Sequence, residues 1–285
     1  MISFIILHYK NIKDTIECID SIKNIKTNKK VTIIIVDNNS LNQDEVEKLK
    51  NYTNDIIINE DNLGFAKGNN IGCKYAIDKY NPDFLCVINN DTIINQSNFI
   101  DEIYSCYENT KFDMMGPKII TNGGDSVNPF PAYETLDEVN GKIKYHNKLI
   151  KIYKNKFLRI LLAKYIKIKR ILKKEVKIEN GIKSEYGVAL HGCAIIFSKK
   201  YYEKYNDVFY NDTFLYHEEE FLNYRKNRDN LITYYDSNLE IFHKEGASLN
   251  ENFKNSDYEK LIFRNKEIVK SLEKLKSIME TNKEI

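Results

Sequence analysis

Three polar clusters follow strongly apolar runs in the first ninety residues. His8-Tyr9 follows SFIIL, Asp37-Asn38-Asn39-Ser40 follows VTIIIV, and Asn89-Asn90-Asp91 follows FLCVI. Carboxylate oxygens in such places can hold a hard divalent cation whose other ligands are phosphate oxygens and water. They can also accept hydrogen bonds from a nucleobase or a ribose. An Asx-turn or a helix N-cap explains each cluster when it is taken alone, so only their convergence in space would favour chemistry.

A glycine-spaced stretch, NEDNLGFAKGNNIG, covers Asn59 to Gly72 and places Gly64, Gly68 and Gly72 four residues apart. Residues without a side chain on one side of a helix let another group approach its backbone closely. That group is either a bound ligand or the sheet beneath the helix, and the sequence leaves both alternatives open. The stretch is not a G-x-G-x-x-G directly after a strand, so it does not match the dinucleotide-binding fingerprint.

A second group of titratable residues lies in the last third of the chain. Glu218, Glu219 and Glu220 are adjacent and follow His217, and His243 comes later in IFHKEGAS. Mutual repulsion raises the pKa of at least one of three adjacent carboxylates, which can then act as a general base. The same charges also favour the start of a helix. Imidazole is a transition-metal ligand as well as a common structural side chain.

The elements that must position these clusters alternate between strand and helix. Continuous apolar runs predict buried strands at Ser3–His8, Val31–Val36, Asp55–Ile58 and Phe84–Ile88. Helical spacing predicts helices through Ile12, Ile16, Ile19 and Ile22 and through Ala66, Asn70, Cys73 and Ile77. We therefore expect an α/β fold with a mostly parallel sheet covered by helices on both faces. Ligands of such sheets bind beyond the carboxyl ends of the strands, where the three polar clusters would meet.

The second half of the chain has a less regular pattern. We interpret residues 123–141 as a loop, residues 188–197 as a strand, and His217 to Glu220 as the start of a short helix. An amphipathic helix is predicted from Asp257 to about Ile278.

Composition limits the classes of protein that need to be considered. The chain has 285 residues, 42% of them hydrophobic and 29% charged, which is enough for one main domain with additions. A net charge of +2 gives no general argument for nucleic-acid binding. No apolar run reaches the roughly 18 residues that span a bilayer, and the first residues do not resemble a signal peptide. Five cysteines without a C-x-x-C pair indicate reduced, buried thiols, so we expect a cytoplasmic protein.

A basic segment, KIYKNKFLRILLAKYIKIKRILKK, covers residues 151–174 with ten basic residues and no acidic one. If it is one helix, its apolar face holds Phe157, Leu158, Leu161, Tyr165, Ile168 and Leu172, and its basic face holds Lys156, Arg159, Lys167, Arg170 and Lys174. Such a helix suits the surface of an anionic membrane. The alternative is a surface helix packed on its own domain, which explains the apolar face but not the lack of acidic residues.

Seven pieces of the sequence, taken together and in order, resemble family 2 of the nucleotide-sugar-dependent glycosyltransferases, an inverting family with a GT-A fold. The pieces are SFIILHYKNIKDTIECIDSI, IIIVDNNS, NLGFAKGNNIG, VINNDT, HGCAIIF, FLYHEEEFLNYR and IFHKEGAS. Asn89-Asn90-Asp91 stands where the family has D-x-D, and its N-x-D form is similar to that of rhamnosyltransferase-like members.

The resemblance implies roles for particular residues. It implies that Asp91 and His243 bind a divalent metal, Mn²⁺ or Mg²⁺, on the donor diphosphate, and that Asp37 reads the nucleobase. The remaining residues that it implies around the nucleotide-sugar donor are His8, Tyr9, Asn39, Asn62, Gly64, Lys67, Gly68, Asn69, Asn89, Asn90, His191 and Gly192. It also implies that Glu219 deprotonates the acceptor hydroxyl, with Glu218 or Glu220 as the alternative.

The resemblance further implies a domain plan and a setting. Residues 1–250 form the glycosyltransferase domain, with a nucleotide-binding half at 1–122, an insertion at 125–183 and an acceptor half at 184–250; residues 251–285 are a helical extension. The chain has no tryptophan and no Q-x-x-R-W motif, which indicates a single sugar addition rather than polymerisation. The expected acceptor is a lipid-linked glycan of cell-surface polysaccharide synthesis, reached at the inner face of the membrane.

Two other classes of function stay open at this point. A sugar nucleotidyltransferase shares the donor chemistry, but its Gly/Arg/Lys-rich loop after the first strand is missing from ILHYKNIKDT. A non-catalytic protein that binds sugar nucleotides or docks on membranes would keep Asp37 and the glycines while tolerating loss of Glu219.

Overall fold

A computed structural model describes residues 1–124, 126–162, 182–244 and 257–282. Two features of the sequence analysis lie outside these residues: the second part of the basic segment, residues 163–174, and the EGAS stretch at 245–248. The described residues form one nine-stranded sheet with helices packed on both faces.

The strands and helices follow one another in the order predicted for the first half of the chain. The strands are β1 (Ile2–His8), β2 (Val31–Asp37), β3 (Ile56–Ile58), β4 (Phe84–Asn89), β5 (Thr92–Ile93), β6 (Met114–Thr121), β7 (Glu185–Tyr186), β8 (Ala194–Ser198) and β9 (Thr233–His243). The helices are α1 (Ile12–Lys23), α2 (Gln43–Lys50), α3 (Gly64–Tyr80), α4 (Phe99–Thr110), α5 (Leu136–Lys154), α6 (Lys199–Tyr202), α7 (Glu218–Asp229) and α8 (Asp257–Thr281).

The strand order in the sheet is β3-β2-β1-β4-β8-β6-β9-β5, and β7 pairs with β9 outside this path. Strands β3, β2, β1 and β4 are parallel, as are β6 and β9. Strand β8 runs antiparallel to β4 and β6, and β5 and β7 run antiparallel to β9. The sheet is thus parallel from β1 to β4, where the sequence predicts it, and mixed over its full width.

Alternation along the strands builds one apolar core on each face of the sheet. On β1, Phe4 and Ile6 pack with Cys18 and Ile19 of α1, whereas Ile5 packs on the other face with the α3 side of the sheet. Because both faces are covered, the central strands are apolar at nearly every position. This rigid sheet fixes the places where its strands end.

A third apolar cluster joins α8 to the rest of the molecule. Val139 of α5 and Phe221 of α7 pack against Ile268, Leu272 and Leu275 of α8. The predicted helix after residue 257 is therefore confirmed, and it packs on α5 and α7. The division into domains stays a prediction.

Two predicted boundaries are wrong. The loop expected to reach Gly141 ends at Thr135, since Thr135 and Glu138 form a capping box that starts α5. The strand expected at residues 188–197 begins only at Ala194.

The basic segment is also not one continuous helix in its described part. Helix α5 ends at Lys154, and the extended Asn155 accepts hydrogen bonds from the amides of Phe157 and Leu158. Asn155 therefore caps a separate helical stretch at residues 156–162.

Candidate functional site

The first three polar clusters lie side by side at the carboxyl ends of β1, β2 and β4. The strand register places His8 beside Asp37 and Leu7 beside Asn89. Thr15 of α1 links two of the clusters, since its hydroxyl lies 2.6 Å from Nδ1 of His8 and accepts a hydrogen bond of 3.0 Å from the amide of Asn90. The convergence expected from a parallel sheet is thus present.

His8 is fully buried in this arrangement. Burial lowers the pKa of His8 below its usual value, although the nearby charges of Asp37 and Glu45 act in the opposite direction. Its Nε2 is buried and has no hydrogen-bond partner among the described residues. The lowered pKa favours the neutral form of His8, and one of its ring nitrogens has no partner among the described residues.

Asp37 organises the loop that follows β2. Its carboxylate accepts hydrogen bonds from the amide and hydroxyl of Ser40 and from the amide of Leu41. Asn39 has a left-handed backbone and donates to the carbonyl of Glu60, while Lys10 donates its amide to Ser40 Oγ. The loop is thereby tied both to β1 and to the chain that leads into α3.

Tyr9 and Lys67 present their side chains at the rim of this edge. Tyr9 is half-buried, and the ammonium group of Lys10 lies 5.2 Å from the centre of its ring. Lys67 is exposed on the first turn of α3. Both side chains are therefore at least partly accessible to solvent.

The glycines of α3 pack against protein atoms. A Cβ on Gly64, whose φ is +81°, would lie 2.1 Å from the carbonyl oxygen of Phe214, and one on Gly68 would lie 2.4 Å from Leu7. A Cβ on Gly72 would lie 2.7 Å from Ile5. Close packing against protein atoms, the second of the two alternatives, therefore explains the spacing, and ligand contact through Gly64 and Gly68 stays a prediction.

Two asparagines complete the start of α3. Asn62 Oδ1 accepts a hydrogen bond from the amide of Gly64, and the Asn69 amide donates to the carbonyl of Phe65. Asn69 Oδ1 is buried without a partner among the described residues.

Asp91 and His243 meet although they are 152 positions apart in the sequence. Strand β5 pairs with β9 so that Thr92 lies opposite His243, which brings Nε2 of His243 to 3.1 Å from Oδ1 of Asp91. The backbone carbonyl of Asp91 also accepts the amide of Lys244. Both side chains are about nine-tenths buried, and His243 Nδ1 has no partner among the described residues.

This pair fits a divalent metal ion. One carboxylate and one imidazole whose donor atoms are 3.1 Å apart can bind the same ion, and Mg²⁺ and Mn²⁺ commonly take few protein ligands together with phosphate oxygens and water. No group of three or more His, Cys, Asp or Glu side chains suited to a metal occurs in the part of the chain that the structure describes.

Glu219 is connected to this pair through the segment before β8. Its Oε1 accepts the amide of Gly192 at 3.0 Å, and the ring of His191 lies 6.2 Å from that of His243, centre to centre. A Cβ on Gly192 would lie only 2.9 Å from the same oxygen of Glu219. A series of contacts through His191 and Gly192 thus links Glu219 to the Asp91–His243 pair.

The three adjacent glutamates face different surroundings. Burial and the neighbouring charge of Glu219 raise the pKa of Glu218 to about 8. Burial also raises the pKa of Glu220. Its Oε2 accepts a hydrogen bond from the backbone amide of Tyr133. Glu219 is half-buried and is the one whose carboxylate contacts Gly192.

The sequence analysis missed two residues that hold the site together. Thr15 could have been found, because it occupies a position on the apolar face formed by Ile12, Ile16 and Ile19 where an aliphatic residue would be expected. Lys244 follows His243 and forms ion pairs with Asp14 and Glu17 of α1, a contact that no local pattern reveals.

Comparison with known proteins identifies the family of this chain. The sequence profile described as glycosyl transferase family 2 matches residues 3–176, more than half of the chain. The chain belongs to glycosyl transferase family 2. Within the described residues of this family member, no helix has the length and apolar character needed to cross a membrane.

A curated relative is the low-salt glycan biosynthesis hexosyltransferase Agl10 of Haloferax volcanii. It is 28% identical over 134 residues, which are 47% of this family 2 chain and 41% of the relative. The match therefore spans less than half the length of that relative.

Solved structures with the same fold include TarS of S. aureus. Its fragment 1–349 superposes with a TM-score of 0.52 at 15% identity, covering 93% of this chain and 64% of that one. A complex of the same fragment with UDP-GlcNAc gives a TM-score of 0.52 at 14% identity, over 93% and 66% of the two chains. At these identities the likeness shows the fold, a GT-A glycosyltransferase fold.

Proposed function

We propose that the chain transfers a single hexosyl or rhamnosyl group, with inversion, from a nucleotide-sugar donor to a hydroxyl of a glycan. The observation that carries this proposal is the chain of contacts from Asp91 to His243, His191, Gly192 and Glu219. These contacts link a pair suited to a metal ion with a carboxylate suited to a base, which supports the proposal. Family membership favours this reading over a sugar nucleotidyltransferase or a non-catalytic protein.

The donor occupies the edge beyond β1, β2 and β4. His8, Tyr9, Asp37, Asn39, Asn62, Lys67 and Asn69 surround the nucleoside, and Asn89, Asn90, His191 and Gly192 surround the diphosphate and the sugar. Asp37 acts mainly by fixing the shape of its loop, because its carboxylate already accepts hydrogen bonds from Ser40 and Leu41. The TarS fragment, which shares the fold, has been solved with UDP-GlcNAc, which supports a nucleotide-sugar donor.

Asp91 and His243 hold a divalent metal ion in this proposal. When bound, the ion supplies positive charge that offsets the negative charge developing on the leaving diphosphate. Imidazole coordination favours Mn²⁺ over Mg²⁺. The buried surroundings of Asp91 strengthen any such charge interaction.

Glu219 performs the proton transfer. Its carboxylate takes the proton of the acceptor hydroxyl while the acceptor oxygen bonds to the anomeric carbon and the bond from that carbon to the diphosphate breaks. Attack from the face opposite the leaving group inverts the anomeric centre. The Gly192 amide holds the carboxylate in position during this step.

The acceptor is a lipid-linked glycan reached at the inner face of the membrane. The surface that we propose attaches the protein to this membrane is the outer face of residues 156–162, where Phe157 is 67% exposed and Leu161 47% exposed. The guanidinium group of Arg159 lies 4.4 Å from the ring centre of Tyr258 at the start of α8. Since Arg159 and Phe157 point to nearly opposite sides of a helix, this contact turns Phe157 outward.

The positive charge of this segment favours an anionic partner surface. No acidic residue occurs between residues 139 and 174, whereas lysines and arginines recur throughout. Exposed apolar side chains flanked by cations match a bilayer that contains anionic lipids, with roughly 1 kcal/mol from each cation near the surface. The proposed occupant of this surface is therefore such a bilayer.

A product analysis tests the proposed activity. The chain is incubated with Mn²⁺, a panel of UDP-, GDP- and dTDP-sugars and glycan acceptors, and products are examined by mass spectrometry and NMR. The expected product carries one added sugar whose anomeric configuration is opposite to that of the donor. Formation of a sugar nucleotide from a sugar phosphate, or retention of configuration, would refute the proposal.

A further inference from the structure

Asn128 is a fully buried asparagine in the loop between β6 and α5. Its Oδ1 accepts the backbone amide of His191 at 2.7 Å, and its Nδ2 donates to the carbonyl of Pro117 on β6 at 2.8 Å. The side chain therefore joins a strand of the central sheet to the segment that carries His191 and Gly192.

The backbone of β6 makes room for this side chain. A Cβ on Gly116 would lie 2.8 Å from Nδ2 of Asn128, so a larger residue there would displace the amide. The residues beside Asn128 hold the same segment, since the amide of Phe130 donates to the carbonyl of Ala189 and its ring lies 5.8 Å from that of His191.

The segment held by Asn128 in turn holds the proposed base. One residue after His191, the amide of Gly192 donates to Oε1 of Glu219 at 3.0 Å. The path from the rigid sheet to the carboxylate thus runs from Pro117 through Asn128, His191 and Gly192 to Glu219. Each link is a hydrogen bond or a single peptide unit.

We propose that Asn128 is a positioning residue that sets the location of the Glu219 carboxylate relative to the Asp91–His243 pair. This inference rests on the proposed function, because it assigns Asn128 a role in the step that Glu219 performs. A displacement of about 1 Å at a reacting group can lower a rate by roughly 10²-fold without weakening substrate binding. Because Asn128 is fully buried, it would act through the segment that it holds.

Two variants separate positioning from general stability. Asn128→Ala removes both hydrogen bonds, whereas Asn128→Asp keeps an acceptor for the amide of His191 and replaces the donor toward Pro117. Asn265→Ala is the matched control, because Asn265 is also buried and also joins two elements. Its Nδ2 donates to the carbonyl of Leu261 on α8, and its Oδ1 contacts the ring of His146 on α5. Melting temperatures identify which variants are folded.

Kinetics give the first readout. We expect the folded Asn128 variants to lose about 10- to 100-fold in kcat with KM for the donor within twofold of wild type, while Asn265→Ala keeps both constants. A folded Asn128→Ala with unchanged kcat would overturn the proposal. A loss of kcat that Asn265→Ala reproduces would also overturn it. If Asn128→Ala does not fold, the same criteria apply to Asn128→Asp.

Amide hydrogen exchange gives a readout that does not depend on activity. Exchange at His191 and Gly192 should speed up in Asn128→Ala while exchange in β1 and β4 stays as in wild type. If wild type transfers no sugar, the proposed function fails, and faster exchange would still show that Asn128 holds this segment. Unchanged exchange at His191 and Gly192 in an active enzyme would refute the positioning role alone.

Discussion

The carboxylate of Asp91 lies 3.1 Å from Nε2 of His243, although 152 residues separate them in the chain. Antiparallel pairing of the short β5 with the end of β9 produces this contact. Neither strand is among those that the sequence predicts. The pairing explains how an N-x-D cluster and a distant histidine can serve one metal ion.

Replacement of Glu219 by glutamine should remove the base while keeping an acceptor for the Gly192 amide. We expect transfer to fall by about 10²- to 10⁴-fold, with donor affinity nearly unchanged. Glu220→Gln is the control, because Glu220 contacts the backbone of Tyr133 instead. Initial rates of transfer for both variants check the assignment. If Glu219→Gln is active and either Glu218→Gln or Glu220→Gln is inactive, the base is the residue whose replacement removes activity.

Addition of one methyl group at Gly192 should displace the base without unfolding the protein. The new Cβ of Gly192→Ala would lie 2.9 Å from Oε1 of Glu219, and the flexible end of that side chain can move away. We expect kcat to fall at least about 10-fold and the melting temperature to change little. Gly141→Ala is the matched control, because a Cβ there meets no atom within 4 Å. Equal kcat values for wild type and Gly192→Ala would contradict this role of the contact.

The raised pKa of Glu218 predicts a pH dependence of stability. The pKa of Glu218 in the folded protein is about 8 and exceeds its ordinary value of 4.5. Between these two pH values, the folded state therefore keeps a proton on Glu218 that the unfolded state loses. The contribution of Glu218 to stability is therefore lost as pH rises from about 4.5 to about 8.

Glu218→Gln should escape this loss. Melting curves measured from pH 4.5 to 8.5 should show the melting temperature of the variant rising relative to that of wild type as pH increases. The expected shift is about 2–4 °C for each kcal/mol of relative unfolding free energy. Parallel melting temperatures over the whole range would show that Glu218 does not keep its proton in the folded state.

The proposed membrane surface predicts binding to vesicles that contain anionic lipids. Wild type should sediment with such vesicles at low salt, and high salt should release it, because screening shortens the reach of the surface potential. Phe157→Ser combined with Leu161→Ser should lose binding. Tyr186→Ser, which removes an exposed ring on β7, should keep it. Wild type that does not bind these vesicles at low salt would contradict the proposed membrane surface.

The sequence was sufficient for the parts of the fold that depend on continuous apolar runs. Strands β1, β2 and β4 are buried on both faces. They are therefore apolar at nearly every position, and this continuous pattern identifies them as strands. The polar residues that follow them could be placed at one edge, because parallel strands end together. The helical spacing on α1 and α3 was equally clear.

Pairings between distant segments could not be predicted in the same way. Strand β6 contains Gly116 and Pro117, and β9 mixes polar and aromatic residues, so neither has the pattern of a buried strand. The bridging role of Asn128 depends on contacts with Pro117 and His191, which are 11 and 63 residues away. The three glutamates could not be told apart either, since only packing gives each a different neighbour.

The central claim is that Asp91 and His243 hold a metal ion against the donor diphosphate. It is tested most directly by release of nucleoside diphosphate from UDP-, GDP- and dTDP-sugars, measured with Mn²⁺, Mg²⁺ or EDTA for wild type and Asp91→Asn. Asp20→Asn, a surface substitution on α1, is the control. We predict release from at least one donor that is stronger with Mn²⁺ than with Mg²⁺, absent in EDTA, and lost in a folded Asp91→Asn. Equal release in EDTA, or an Asp91→Asn enzyme as active as wild type, would contradict the account.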